Sequence, residues 1–248
     1  MSIFGTKKTA VRLIAILTVT ALIFGAALVY VFDYYRADTE AIDAFISEAK
    51  ISEREYGGGI LAFGEETSEC GFIFYPGGKV EYTSYIPLAV ALAARGVFTV
   101  LLPMPLNLAV LDVNAADGIS EMFPDISRWY IGGHSLGGSM AASYAASHSG
   151  GISGIVLLAS YSTSDISRLP VLSVYGSCDG VMNRDKYGKY RSNLPSDFTE
   201  YVIDGGSHAY FGMYGEQDGD GEASITPYNQ ITLTADYISS FCLSVGGR

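Results

Sequence analysis

The sequence predicts an α/β domain, a mostly parallel sheet with helices on both faces, preceded by one apolar helix of membrane-spanning length. Three observations carry this. From residue 57 to the C-terminus, short and nearly continuous apolar runs alternate with helical stretches, the pattern of strands buried on both faces. A Gly-x-Ser-x-Gly motif at 133–137 lies between one such run and a helix of small residues. Residues 13–32 hold no charged side chain, and a helix of that length is about 30 Å long, the thickness of a bilayer's hydrocarbon core.

The elements follow in chain order. Lys7, Lys8 and Arg12 precede the apolar stretch, while Asp33, Asp38, Glu40 and Asp43 follow it. The Lys/Arg bias places residues 1–12 in the cytoplasm, 13–32 across the membrane as an anchor, and the rest outside. A cleaved signal peptide is the alternative, although its apolar region is usually about 7–15 residues long. Either reading exports the body. Residues 33–56 are expected to link anchor and body, with an amphipathic helix over 38–56 on the spacing of Ala41, Ile42, Phe45, Ile46 and Ala49. Gly57-Gly58-Gly59 would end it.

Residues 57–248 then form one domain. Strands are expected at 60–63, 70–75, 97–102, 128–132, 152–159, 170–175 and 198–203, and helices near 82–95, 107–122, 136–148, 183–191 and 226–243. Only six residues separate the first two runs, which suggests an antiparallel hairpin at the sheet edge. No internal repeat or low-complexity linker interrupts the body.

Composition excludes several function classes. Of 15 Lys and Arg, twelve follow Phe32, together with all 26 Asp and Glu, so the body carries a formal −14. A nucleic-acid partner needs a clustered basic face, and so does docking on anionic lipid. Cys70, Cys178 and Cys242 are too scattered for a disulfide framework or a zinc site.

The motif lies in Tyr130-Ile131-Gly132-Gly133-His134-Ser135-Leu136-Gly137-Gly138. A serine on a sharp strand-to-helix turn is exposed to attack, and glycines two residues to either side let other backbone approach. The helix N-terminus behind it offers free N–H groups to a developing oxyanion. Gly-His-Ser-Leu-Gly-Gly in this setting resembles the α/β-hydrolase superfamily. With a later Gly-Gly-Ser-His-Ala segment and no large insertion, the chain is similar to the dienelactone-hydrolase-like branch, over roughly residues 57–245. The resemblance implies an α/β-hydrolase fold and a Ser-His-acid triad.

Ser135 as nucleophile needs a base, and the chain has three histidines. His134 adjoins the serine and points elsewhere. His148 lies thirteen residues along the following helix, about 20 Å away. Elimination leaves His208, after the last expected strand. The acid is less determined by the residues themselves. The resemblance places it at Asp179, in the Gly-Ser-Cys-Asp-Gly-Val turn, with Asp165, Asp185 and Asp204 as competing carboxylates. For the oxyanion hole, one donor is the Leu136 N–H. The resemblance points to Pro76-Gly77-Gly78 for the other, at Gly78 N–H with Lys79 N–H as runner-up. The family often has His where this chain has Pro76.

Residues 212–222 are acidic and Gly-rich. Counted as a calcium loop from Glu216, they place Pro227 where a bidentate Glu is needed, so no metal site is expected. The segment is expected to wrap over His208, with Lys79, Tyr210 and Phe211 as candidate pocket residues. Only about ten residues separate the strands 152–159 and 170–175, which leaves no room for the helical cap of many lipases in this superfamily. The expectation is a membrane-anchored extracytoplasmic serine hydrolase that cleaves carboxylic esters of small molecules or polymers without a cofactor. Acyl transfer, amide or thioester cleavage on the same triad, and a non-catalytic binding module, are the alternatives. The oligomeric state is not legible.

Overall fold

A computed structural model describes residues 3–47, 49, 51 and 53–244. Helix α1 (Ile3–Phe32) belongs to one compact unit and the chain from Tyr35 onward to another. Within α1, Thr9–Phe32 has a mean hydropathy of 2.5 and is long and apolar enough to cross a membrane, as an anchor or as part of a signal sequence.

The second unit is built on eight strands: β1 (Glu53–Tyr56), β2 (Ile60–Phe63), β3 (Cys70–Tyr75), β4 (Val97–Leu101), β5 (Arg128–His134), β6 (Gly154–Leu158), β7 (Val171–Gly176) and β8 (Thr199–Ile203). Their spatial order is β1-β2-β4-β3-β5-β6-β7-β8. β1 and β2 pair antiparallel, as do β2 and β4, and every other pairing is parallel. This is the mostly parallel sheet that the alternating pattern predicts, and seven of the eight strands coincide closely with the apolar runs.

Three expectations are corrected. The runs 60–63 and 70–75 do not form a hairpin: β3 lies in the sheet interior between β4 and β5. All six of its residues are buried, so it needs partners on both edges, which its sequence neighbour alone cannot provide. The true edge hairpin is β1–β2, closed by Gly57–Gly59, with Gly58 and Gly59 both at φ +80°. The helix expected over 38–56 is correspondingly short. Helix α2 (Thr39–Ile46) starts at Asp38, whose side chain accepts the Ala41 N–H, and Glu53–Tyr56 is already strand. Thirdly, 107–122 is no continuous helix. It consists of tight turns at Pro105–Asn107 and Ala109–Leu111, then one helical turn, α4 (Ile119–Met122), entered through Gly118 at φ +79°. Left-handed backbone at Leu106, Asn107 and Gly118 breaks the i to i−4 ladder on either side.

Helices α3 (Ile86–Ala93) and α7 (Pro227–Ser244) cover one face, where Leu88, Leu92, Ile231, Ala235 and Ile238 pack on Phe72, Phe74 and Leu101. Helix α5 (Leu136–Ser147) covers the other with Ala141, Ala142 and Ala145, next to Ile131, Ile155 and Trp129. Small residues on α5 let it sit close enough for its N-terminus to meet the ends of β3 and β5. Helix α6 (Arg184–Tyr190) follows β7, and only residues 159–170 join β6 to β7. Among the described residues, no large insertion stands over the C-terminal ends of the strands.

Candidate active site

β5 passes into α5 through Ser135, at φ +53° and ψ −121°, a backbone state disfavoured for any residue with a Cβ. Its surroundings hold it there. Ser135 N–H donates to Leu158 O (2.9 Å), and Ser160 Oγ donates to Ser135 O (2.7 Å). A Cβ on Gly133 would lie 2.3 Å from Tyr75 O, and one on Gly137 2.2 Å from the same oxygen. Both glycines are therefore required by the close approach of the end of β3. Leu136 opens α5, and its N–H makes no hydrogen bond among the described residues.

After β3 the chain turns through Pro76-Gly77-Gly78-Lys79. A Cβ on Gly78 would be 2.9 Å from Leu136 Cδ2, so these two residues are neighbours. Gly78 N–H also has no acceptor among the described residues. Lys79 N–H is already committed to Asn107 O at 2.8 Å, which removes it as the alternative donor. Gly77 N–H donates to the Tyr85 hydroxyl (3.1 Å), which in turn stands 2.8 Å from His134 Nδ1. The hydroxyl can accept from Gly77 and still pair with His134 Nδ1. The residue before the serine thus tethers the glycine loop to the elbow.

His134 is fully enclosed. Burial, and then the neighbouring His208, hold its pKa well below the ordinary imidazole value. A base whose pKa is lower in the folded chain is less protonated there than when unfolded. Its contribution to stability is complete above about pH 6.5 and is lost as pH falls below that, at up to about 1.4 kcal/mol per pH unit. Urea midpoints should therefore drop between pH 7 and pH 5.5, and His134→Gln should show a visibly shallower drop. Equal slopes would refute this account.

His208 follows β8 through Gly205-Gly206-Ser207, and Asp179 follows β7. His208 Nδ1 is 3.0 Å from Asp179 Oδ2, with the two side chains 1% and 0% exposed. The other carboxylate oxygen, Oδ1, accepts Val181 N–H (2.9 Å) and Met182 N–H (2.8 Å). Burial pushes the Asp179 carboxyl up, but the bond and charge interaction with His208 and the two backbone donors outweigh it and leave it below the usual carboxylate range. His208 Nε2 is buried without a hydrogen-bond partner among the described residues. The His134 and His208 ring centroids are 4.5 Å apart, which brings the histidine loop to the residue beside Ser135. Ser135 Oγ itself makes no hydrogen bond among the described residues; such contacts often tighten only when substrate is present.

The competing residues stand elsewhere. Asp165 is bonded to Ser167 N–H (3.0 Å) and Asp204 accepts from Ser177 Oγ (3.4 Å), while Asp185 lies in the first turn of α6. His148 is stacked on Tyr144. Of the candidate pocket residues, half-buried Lys79 stays in the glycine loop. Tyr210 lines a cleft of about 470 Å³ with Glu216, Asp220 and Glu222. Phe211 does not line it, because it is fully buried with its ring 5.5 Å from that of His134.

In the sequence Asp220 stands out only as an oxygen ligand of the calcium-loop pattern that fails at Pro227. Its Oδ1 accepts Gly180 N–H (3.1 Å) and His208 N–H (3.0 Å), and its Oδ2 accepts Ala209 N–H (2.8 Å). One carboxylate thus joins the Asp179 turn to the His208 turn. The acidic composition of 212–222 was visible, but nothing in it names backbone amides as the partners. Tyr85 and Ser160 escaped notice for the same reason. A further tie comes from Tyr35–Asp38. Tyr35 N–H donates to Lys79 O (2.8 Å), Glu81 N–H to Tyr35 O (2.9 Å), Asp38 N–H to Met213 O (2.9 Å) and Asp218 N–H to the Tyr35 hydroxyl (3.2 Å). This short segment bridges the glycine loop and the loop after His208.

A model of the alpha/beta hydrolase family matches residues 71–232. Among solved structures, a bacterial membrane phospholipase A is similar at a TM-score of 0.59 and 13% identity, over 98% of this chain and 100% of that one. Dienelactone hydrolase from Anabaena variabilis is similar at a TM-score of 0.56 and 14% identity, over 76% of this chain and 97% of that one. No curated protein sequence matches.

Proposed function

This chain belongs to the alpha/beta hydrolase family, and from that premise we propose that it is a membrane-anchored, extracytoplasmic serine hydrolase acting on carboxylic esters. The observation that carries the reading is the buried Asp179–His208 pair at 3.0 Å, with a bare Nε2, beside a serine in strained backbone. His134 also has a bare Nε2, but its Nδ1 faces the Tyr85 hydroxyl; the buried carboxylate on Nδ1 is what marks His208 as the base. The structural likeness to a membrane phospholipase A and a dienelactone hydrolase agrees with a hydrolase of carbon–oxygen ester bonds. The apolar helix Thr9–Phe32 supports the anchor, and the basic residues ahead of it support export of the body.

In this mechanism Ser135 Oγ attacks the acyl carbon while His208 Nε2 takes its proton. Asp179 holds the imidazole in the tautomer that carries hydrogen on Nδ1 and stabilises the imidazolium that forms. The N–H groups of Leu136 and Gly78 receive the oxyanion. His208 then protonates the leaving alcohol, and a water, activated by the same nitrogen, releases the acid from the acyl-enzyme. The direct test is covalent: a fluorophosphonate should add once, and digestion should place the adduct on the peptide containing Ser135. An adduct elsewhere, or none on folded protein, would sink the reading.

Asp220 acts on this chemistry through His208. Asp220→Ala should lower kcat on a short ester about 10–100-fold with KM little changed, since ångström-scale misplacement of a base costs that much. Asp220→Asn, which keeps the Oδ1 acceptor, should recover most of the loss. No recovery, or a change confined to KM, would rule out a positioning role.

A further inference from the structure

In the loop Pro105–Leu111, Leu106, Val110 and Leu111 are 54%, 52% and 54% exposed. Single exposed apolar side chains are ordinary; three of them within residues 106–111 make a patch. Leu106 and Asn107 also hold left-handed backbone, at φ +53° and +56°, a strained state that persists only where its surroundings enforce it. Here Asn107 N–H donates to Met104 O (3.0 Å) and Leu108 N–H to Pro105 O (3.0 Å), while Asn107 O accepts Lys79 N–H (2.8 Å). One side of the turn secures the glycine loop of the site while Leu106 is presented to the outside. The adjoining turn Ala109–Leu111 packs against α5, the helix that begins beside Ser135.

Chain connectivity bounds the distance from this patch to the end of the apolar helix. The apolar stretch of α1 ends at Phe32, and three peptide units later Tyr35 N–H donates to Lys79 O at 2.8 Å. Three units reach at most about 11 Å. The end of the apolar helix, the glycine loop and the leucine loop are therefore successive links of one short bonded path. Tyr30 and Tyr34 flank the helix end, and such rings favour the membrane–water boundary. The acidic body makes a basic, headgroup-binding contact unsuitable, which leaves apolar insertion into an uncharged surface.

We propose that Pro105–Leu111 is a lipid-contacting rim, that Leu106, Val110 and Leu111 enter the outer leaflet in which α1 ends, and that the site takes acyl esters of membrane lipids from that leaflet. The substrate half rests on the serine-hydrolase reading and on α1 remaining attached. The contact half can be tested without activity.

The chain has one tryptophan, Trp129, which is buried, so an introduced indole can be followed against a silent background. Full-length Leu106→Trp and, separately, Leu111→Trp would be reconstituted in dioleoylphosphatidylcholine vesicles with and without brominated phosphatidylcholine. Each introduced indole should lose about half its emission to the brominated lipid, as interfacial side chains do, while wild type changes little. Unquenched indoles in both variants would overturn the rim, and would point instead to a protein partner or a second copy. In parallel, Leu106→Ser/Leu111→Ser should hydrolyse vesicle phosphatidylcholine about tenfold more slowly, from lost apolar transfer, with p-nitrophenyl acetate turnover unchanged. Equal losses on both substrates would overturn the proposal, as would a wild type active on the soluble ester and inert on the vesicles. A wild type inert on both would defeat the hydrolase reading, and quenching would still decide the contact.

Discussion

Ser135→Ala should abolish ester turnover, with kcat lower by about 10⁶-fold, because loss of the nucleophile removes the covalent route and leaves only binding and oxyanion stabilisation. Fluorophosphonate labelling should vanish with it. The fold should survive: Ser135 contributes its backbone N–H and O to the elbow, and its Oγ bonds nothing among the described residues. An unchanged melting curve together with lost turnover is the expected signature. Turnover within tenfold of wild type would remove Ser135 from the chemistry.

Asp179→Asn should be the next most damaging conservative change, about 10⁴-fold in kcat. The carboxylate accepts from Val181 and Met182 N–H through Oδ1 and faces His208 Nδ1 through Oδ2. With Oδ1 fixed by two amides, an asparagine must place its NH₂ toward His208. It would then donate to Nδ1, drive the ring hydrogen to Nε2 and block acceptance of the serine proton. The pH profile offers a second readout. In the variant, the remaining activity should increase with hydroxide concentration over the alkaline range. A loss under tenfold would return the choice to the other carboxylates.

Much of this was legible in the chain, for identifiable reasons. β3 to β7 announce themselves because each is enclosed on both faces and reads as an apolar run. β1 does not, since Glu-Arg-Glu-Tyr at a sheet edge alternates between exposed and half-buried and carries no apolar signature. The misplaced hairpin has a different origin: sequence proximity of β2 and β3 says nothing about the insertion of β4 between them. Residues 107–122 show the limit of periodicity. Ala109, Val113 and Ala116 recur at helical spacing, yet the spacing does not register the left-handed backbone at Asn107 and Gly118 that divides the segment into turns.

At the candidate site, Ser135 and His208 could be picked out because the motif is local and histidine is scarce. Asp179 needed the resemblance, since several carboxylates satisfied the order. The roles of Asp220, Tyr85 and Ser160 were not readable at all. Each acts by bonding groups distant in the chain, mostly backbone amides and carbonyls, which every residue has. Such partners leave no trace in residue identity.

The bridging segment Tyr35–Asp38 has a consequence for shedding. On the proposed anchored topology, a protease that cut just after Phe32 would free the domain with its ties to Lys79, Glu81 and Met213 intact. A cut after Asp38 or beyond would take those ties away with the stump. Release and inactivation are thus separated by a few peptide bonds, and the position of the scissile bond decides whether shedding yields a diffusible enzyme or a spent one.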